Sequence, residues 1–592
     1  MSALKTAYRV MRAFFAGFGL LIFTSIAGFI LLAIFAGDED VDMSGDLVLT
    51  HQIQGNSPDF KGDDLQSLLN DQPSVMQLIA ALDAAGSDPK VKGLVVTLHQ
   101  GNYGLAQVQE LRAALARFRD AGKFARIWTT GFGELDRATA DYWLATGFER
   151  IDVQPLGMVG VGPLGAQTLY FGKTLNEAGV QFEVEKRGAY KSLMEMFTET
   201  GMTEPTRQNL TAMLQSLDNQ IVGDLTTSRS LTEEQVRKLL DGGPYVAAEA
   251  LESKLIDGIQ HYDEVKADVV SQVGEKANWV QLEDYGKAAA AKRKASSALS
   301  GDGQKVALIP LTGGIVKASG QASGPSSSTI VGPLIADAIR EAVENEEIGA
   351  FLIRIDSGGG SVAGSEVIRR AIEMAREADK PVVISFGNIS ASGGYFLSVN
   401  ADRILAQPAT LTGSIGVIAG KPEASALLDR LGVGVTTLML REDTSPFLDV
   451  AEPFSETERQ RLSALIDAMY QGFQKRVLDG RKQIAPEAFD GLAQGRVFTG
   501  AQALELGLVD KLGGMHEAKA ELRDLMGLEA DAHLSFVRVP EADEFLQILR
   551  KELGGASAAA GVLKQAAPMV DAVRGQIEAP AMGATMPPIR IQ

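Results

Sequence analysis

The chain repeats itself at an offset of 253 residues. "ERIDVQPLGMVG" around Ile151 returns as "DRILAQPATLTG" around Ile404, and "EALESKLID" from Glu249 returns as "QALELGLVD" from Gln502, each 253 residues later. Between these anchors "AGVQFEVE" at 178–185 matches "LGVGVTTL" at 431–438. Upstream, "GLVVTLHQG" at 93–101 parallels "AFLIRIDSG" at 350–358 with a few residues of slippage. A period this long marks a duplicated domain, since solenoid repeats run at about 20–50 residues.

Within each copy, short β-branched runs alternate with helical patterns. In the second, "VALIPL" and "AFLIRI" read as buried strands, 362–379 has helical apolar spacing, and "PVVISF" at 381–386 is the next strand. Such alternation predicts βαβ units, a mostly parallel sheet and an α/β fold. The Ala-, Ser- and Lys-rich stretch 285–304 reads as a linker between a first repeat over 45–284 and a second over 305–540. Residues 541–592, rich in Ala, Pro and Gly, read as a tail with little core of its own.

Ahead of the first copy, no charged residue occurs from Ala13 to Gly37. At 1.5 Å per residue such a run crosses a bilayer core of roughly 30 Å. Lys5, Arg9 and Arg12 precede it and Asp38, Glu39 and Asp40 come after it. The positive-inside rule then predicts a cytoplasmic segment over 1–12, a transmembrane helix over 13–37 and the rest outside. A cleaved signal peptide, the alternative, has an apolar region of only about 7–15 residues.

Composition narrows the partners. A net charge of −19 argues against a nucleic-acid partner. With no cysteine, thiol nucleophiles, disulfides and thiolate metal sites are excluded. No His/Asp/Glu cluster stands at metal-ligand spacing, so neither a metal nor an organic cofactor is expected.

Duplicated copies share a fold, so a chemical group kept by only one of them stands out. In "LTGSIGVI" at 411–418, Ser414 has Val161 as its counterpart. Conversely, Lys191 in "RGAYKSLMEMF" has Thr444 as its counterpart. The five histidines lie far from Ser414 in sequence. A serine without histidine can be activated by a neutral lysine. That requires the lysine pKa to fall from about 10.4 to about 7–8, and Leu193, Met194, Met196 and Phe197 around Lys191 offer the desolvation. "IDSGGGSVAGSEV" at 355–367 ends a strand, passes through three glycines and opens a helix, the composition of an oxyanion-binding turn. The first copy has "LHQGNYGLAQV" there, without the triple glycine. "NISASGGYFLS" at 388–398 holds two competing serines, Ser390 and Ser392.

The segments "IDSGGGSVAGSEVI", "ISASGGYFLSVNADRILAQPATLTGSIGVI" and "RGAYKSLMEMFT" together resemble the long form of signal peptide peptidase A, protease IV, from the anchor to about residue 540. The resemblance implies that Ser414 is the nucleophile, Lys191 the general base, and Gly359 with its neighbour Gly360 the oxyanion donor. Where the family's turn carries a proline, this chain has Gly358. Also implied are tandem crotonase/Clp-protease-like domains behind an N-terminal transmembrane helix, and a ring-shaped homotetramer. Its substrates would be apolar peptides, notably signal peptides left in a bacterial inner membrane, with the catalytic part periplasmic. The expectation is a membrane-anchored serine endopeptidase. Fold does not dictate function, so two alternatives stand beside it. One is an acyl-CoA hydratase or hydrolase on the same fold type, which predicts catalytic carboxylates in the glycine loops. The other is a non-catalytic membrane scaffold, in which the differences between the copies are drift.

Overall fold

Two parallel sheets are built to one plan. In the computed structural model the first sheet orders its strands Asn278–Gln281, Leu47–Gly55, Val91–Gly101, Phe124–Thr129, Arg150–Val153 and Gly258–Ile259, all parallel. The second repeats that order with Leu534–Arg538, Gln304–Thr312, Ile348–Ser357, Val382–Ala391, Arg403–Ala406 and Lys511–Leu512. In the second copy Val382–Ala391 also pairs with Leu411–Gly413, which continues antiparallel to Val497–Thr499. The central strands Val91–Gly101 and Ile348–Ser357 are buried over most of their length, as parallel strands covered by helices on both faces must be.

The structure describes residues 42–540, apart from 56, 62–71, 135, 301–302, 319–328, 439 and 441–446, together with Arg590–Ile591. The span expected over 13–37 and the tail over 541–589 lie outside the described residues, as does Thr444. Among the described residues no helix is long and apolar enough to cross a membrane. The stretch read as a linker, 285–304, is helical over most of its length, within Leu282–Ser300. Tyr285 is buried and donates its hydroxyl to Asp88 at 3.0 Å. Alanine and lysine are strong helix formers, so a composition that reads as flexible in isolation becomes helix once its first turn is anchored.

The copies meet along a seam that joins both chemistry and packing. Ala409 and Val497 of the second copy are buried within the hydrophobic core of the first. Arg354, 1% exposed in the second sheet, donates to Asp59 at 2.8 and 3.2 Å, to Glu110 at 2.7 Å and to Ser385 at 2.8 Å. Asp59 and Glu110 belong to the first copy, so a buried cation of one half is neutralised by carboxylates of the other. Beyond this cluster, strand Gln181–Arg187 of the first copy pairs antiparallel with Val417–Glu423 of the second.

Candidate active site

That last pairing carries the lysine into the second copy. Arg187 stands opposite Val417, so the segment leaving Arg187 runs beside the segment leading into Val417. The chain turns at Gly188, φ +104°, into the loop that holds Lys191. On the other side sits Ser414, held at φ +52°, a conformation rare for a residue with a Cβ. The Ser414 amide donates to the Arg496 carbonyl at 2.7 Å, which fixes the turn. Ser392, φ +54°, is held likewise by its amide bond to the Gly413 carbonyl at 2.8 Å.

Residues 223 positions apart are thereby in contact. Lys191 Nζ lies 3.0 Å from Ser414 Oγ, 3.1 Å from the Ser414 carbonyl oxygen and 2.7 Å from Ser392 Oγ. Lys191 and Ser414 are each 2% exposed, and Ser392 is fully buried. Burial pushes the Lys191 ammonium down to about 7, because a low-dielectric site disfavours the charged form. Glu195, four residues on, does not offset this: its carboxylate accepts from the Thr206 hydroxyl at 2.7 Å, the Thr203 hydroxyl at 3.0 Å and Lys186 Nζ at 3.3 Å. Ser390, the other competing serine, is buried with its hydroxyl unpartnered among the described residues, and its Oγ is not bonded to Lys191.

The glycine turn lies alongside. A Cβ on Gly393, next to Ser392, would meet the Gly360 nitrogen at 3.0 Å and the Gly359 Cα at 3.2 Å. Within the turn the two glycines differ. The Gly359 N–H already donates to Ser357 Oγ at 3.1 Å. Gly360 forms a parallel bridge with Ile315 whose hydrogen bonds are made by its neighbours, Ile315 N–H to the Gly359 carbonyl and Ser361 N–H to the Ile315 carbonyl. Its own N–H therefore points to the other side of the loop.

Ser414 and Lys191 open onto a cleft of about 450 Å³ whose walls include Leu169, Phe171, Met196, Leu210, Met213 and Val497. Ser392 is not among the residues lining it, so of the two serines that touch Lys191 only Ser414 reaches the cleft. Sequence reasoning missed three contributors. Ser392 stood out only as a rival nucleophile, not as a partner of the lysine. Gly495, φ +75°, packs so closely on Lys191 that a Cβ would come within 2.8 Å of its nitrogen. Leu210 and Met213 come from helix Glu204–Arg229, whose apolar pattern reads as ordinary core.

The sequence model of peptidase family S49 matches residues 132–276 and 374–529, one stretch in each copy. The chain belongs to peptidase family S49. This S49 chain is 30% identical to Protease 4 of Salmonella typhi over 472 residues, 77% of this chain and 72% of that protein. It is 27% identical to the chloroplastic serine protease SPPA of Arabidopsis thaliana over 509 residues, 86% of this chain and 73% of that one. A putative signal peptide peptidase SppA of Enterococcus faecium is 33% identical over 188 residues, 31% of this chain and 53% of its own. The protein is a serine endopeptidase, which sets aside the acyl-CoA and scaffold alternatives.

Proposed function

We propose that Ser414 is the nucleophile and Lys191 the general base of a membrane-anchored endopeptidase that degrades signal peptides and other apolar segments. The observation that carries this reading is the 3.0 Å contact between Lys191 Nζ and Ser414 Oγ in a buried site. A neutral amine has two N–H groups and one lone pair. Giving the N–H groups to Ser392 Oγ and the Ser414 carbonyl leaves the lone pair facing Ser414 Oγ, as base catalysis requires. Ser414 attacks the scissile carbonyl, and Lys191 takes its proton and passes it to the leaving amine. The same amine then deprotonates the water that hydrolyses the acyl-enzyme. Ser392 acts as a positioning residue for Lys191. The oxyanion role moves from Gly359, whose amide is engaged, to Gly360, whose amide faces away from its own bridge.

The cleft's apolar walls support an apolar substrate side chain. Each copy is read as a crotonase/Clp-protease-like domain, over 45–284 and 305–540, and the chains as a homotetramer. The uncharged run from Ala13 to Gly37, with basic residues before and acidic residues after it, supports a single-pass anchor in a bacterial inner membrane with the catalytic part periplasmic. The test is cleavage of casein and of an apolar peptide ester by purified variants. Ser414→Ala, Lys191→Ala and Lys191→Arg are each expected to lose at least about 10³-fold in kcat/KM while keeping the wild-type fold. Wild-type rates in Ser414→Ala would eliminate it as nucleophile and turn attention to Ser392.

A further inference from the structure

The seam inside the chain has a counterpart that the chain leaves open. Gly179, φ +85°, ends a short helix against the other copy: a Cβ there would meet the Leu427 nitrogen at 2.7 Å, and the Leu427 amide donates to the Gly179 carbonyl at 3.1 Å. Its counterpart 253 residues on, Gly432, φ +69°, has nothing within 4 Å of the same position. Ala409, 3% exposed in the seam, has as its counterpart Leu156, 96% exposed. Val497 is buried there, whereas its counterpart Pro244 is exposed. The strand Gln181–Arg187, paired across the seam, corresponds to 434–440, which among its described residues forms no strand and leaves Leu438 93% exposed and Leu440 fully exposed. A twofold relation between the copies would have packed Gly432 against Thr174 of its own chain, just as Gly179 packs against Leu427. It does not, so the relation is head to tail and leaves one donor face and one acceptor face per chain.

We propose that residues 434–438 of one chain pair antiparallel with Leu164–Tyr170 of a neighbouring chain, repeating the seam between protomers. This rests on the homo-oligomer proposed above and names its interface. The seam also sets the register. Ala419 stands opposite Glu185 and Lys421 opposite Glu183, so Ala166 faces Leu438 and Thr168 faces Thr436 of the neighbour. The receiving segment takes added strands: Arg590–Ile591 pairs antiparallel with Ala166–Gln167 along one edge, and a strand has two. Chemistry fits as well. Arg187 binds Asp467 at 2.6 Å in the seam, and their counterparts are Leu440 and Leu214, so an ion pair becomes an apolar pair. Leu440 has no partner in the isolated chain that would hide it from water, and burying it and Leu156 favours association. Because Gln167, Leu169 and Phe171 also line the cleft, the neighbour's strand braces a wall of the active site. The junction between chains would itself be inert, since Val161 and Thr444 stand there in place of Ser414 and Lys191.

The absence of cysteine allows a direct test. The full-length protein in detergent carrying Ala166→Cys and Leu438→Cys is oxidised and run without reductant, beside a register control carrying Ala166→Cys and Thr437→Cys. A one-residue shift turns the side chain to the other face. The expected result is a ladder of covalently linked chains for the first pair and little linkage for the control. Absence of intermolecular links, or a link confined to single chains, overturns the interface. Sedimentation of the unoxidised protein separates the two claims: multimers without the ladder leave the oligomer standing and sink this interface, and single chains sink both. In a second variant, Leu438→Asp with Leu440→Asp, the sedimenting mass should fall to that of one chain. An unchanged mass would count against the interface.

Discussion

At Lys191 the cost of burial and the chemistry are the same fact. Its ammonium is pushed down to about 7, against an ordinary value of 10.5, by desolvation alone. Only the neutral amine can accept the Ser414 proton, so kcat/KM should rise with pH, about tenfold per unit below pH 7, and level off above it. Measuring kcat/KM for an apolar peptide ester between pH 5 and 9 checks this, and a profile flat down to pH 5 would exclude a lysine base. The same shift sets the sign for stability. Between about 7 and 10.5 the unfolded chain holds a proton at this site that the folded chain lacks, so stability rises with pH across that window. The destabilisation from burying the lysine is absent above that window and complete below it. Ser414 and Ser392 add backbone strain, both lying at positive φ, a conformation that persists only where the surrounding bonds over-determine it.

At the scale of elements, the site depends on loops that approach one another more closely than side chains allow. Gly495 sits at φ +75° with the Lys191 backbone where its Cβ would be. Gly495→Ala should therefore displace Lys191, costing about 10²-fold in kcat/KM and roughly 1–3 kcal/mol of stability. Gly472, exposed inside helix Glu456–Gly480, has open space around it. Gly472→Ala should leave the rate unchanged and stabilise by about 0.5–1 kcal/mol, since alanine loses less entropy in a helix. Urea unfolding and steady-state rates on the two variants check both expectations, and a loss of rate in Gly472→Ala would contradict the second.

At the scale of the molecule, Arg354 ties the copies together. Replacing it with alanine would leave Asp59 and Glu110 buried without their cation, a loss of about 3–5 kcal/mol. Because those three residues bridge the copies, urea unfolding of Arg354→Ala is expected to begin at lower denaturant, with the halves separating first. A wild-type midpoint would show that the cluster contributes nothing to docking. The sequence alone determined the duplication, the βαβ alternation and the two positions, Ser414 and Lys191, at which the copies part company. These are properties of the chain read in one dimension, by offset and by periodicity. Tertiary structure decided the rest: that Ser392 partners the lysine while Ser390 does not, that Gly359 spends its amide inside its own turn, and that 285–300 is helix. Each of these depends on which groups distant in the chain are packed together, and Lys191 meets Ser414 only because strand Gln181–Arg187 of one copy pairs with Val417–Glu423 of the other.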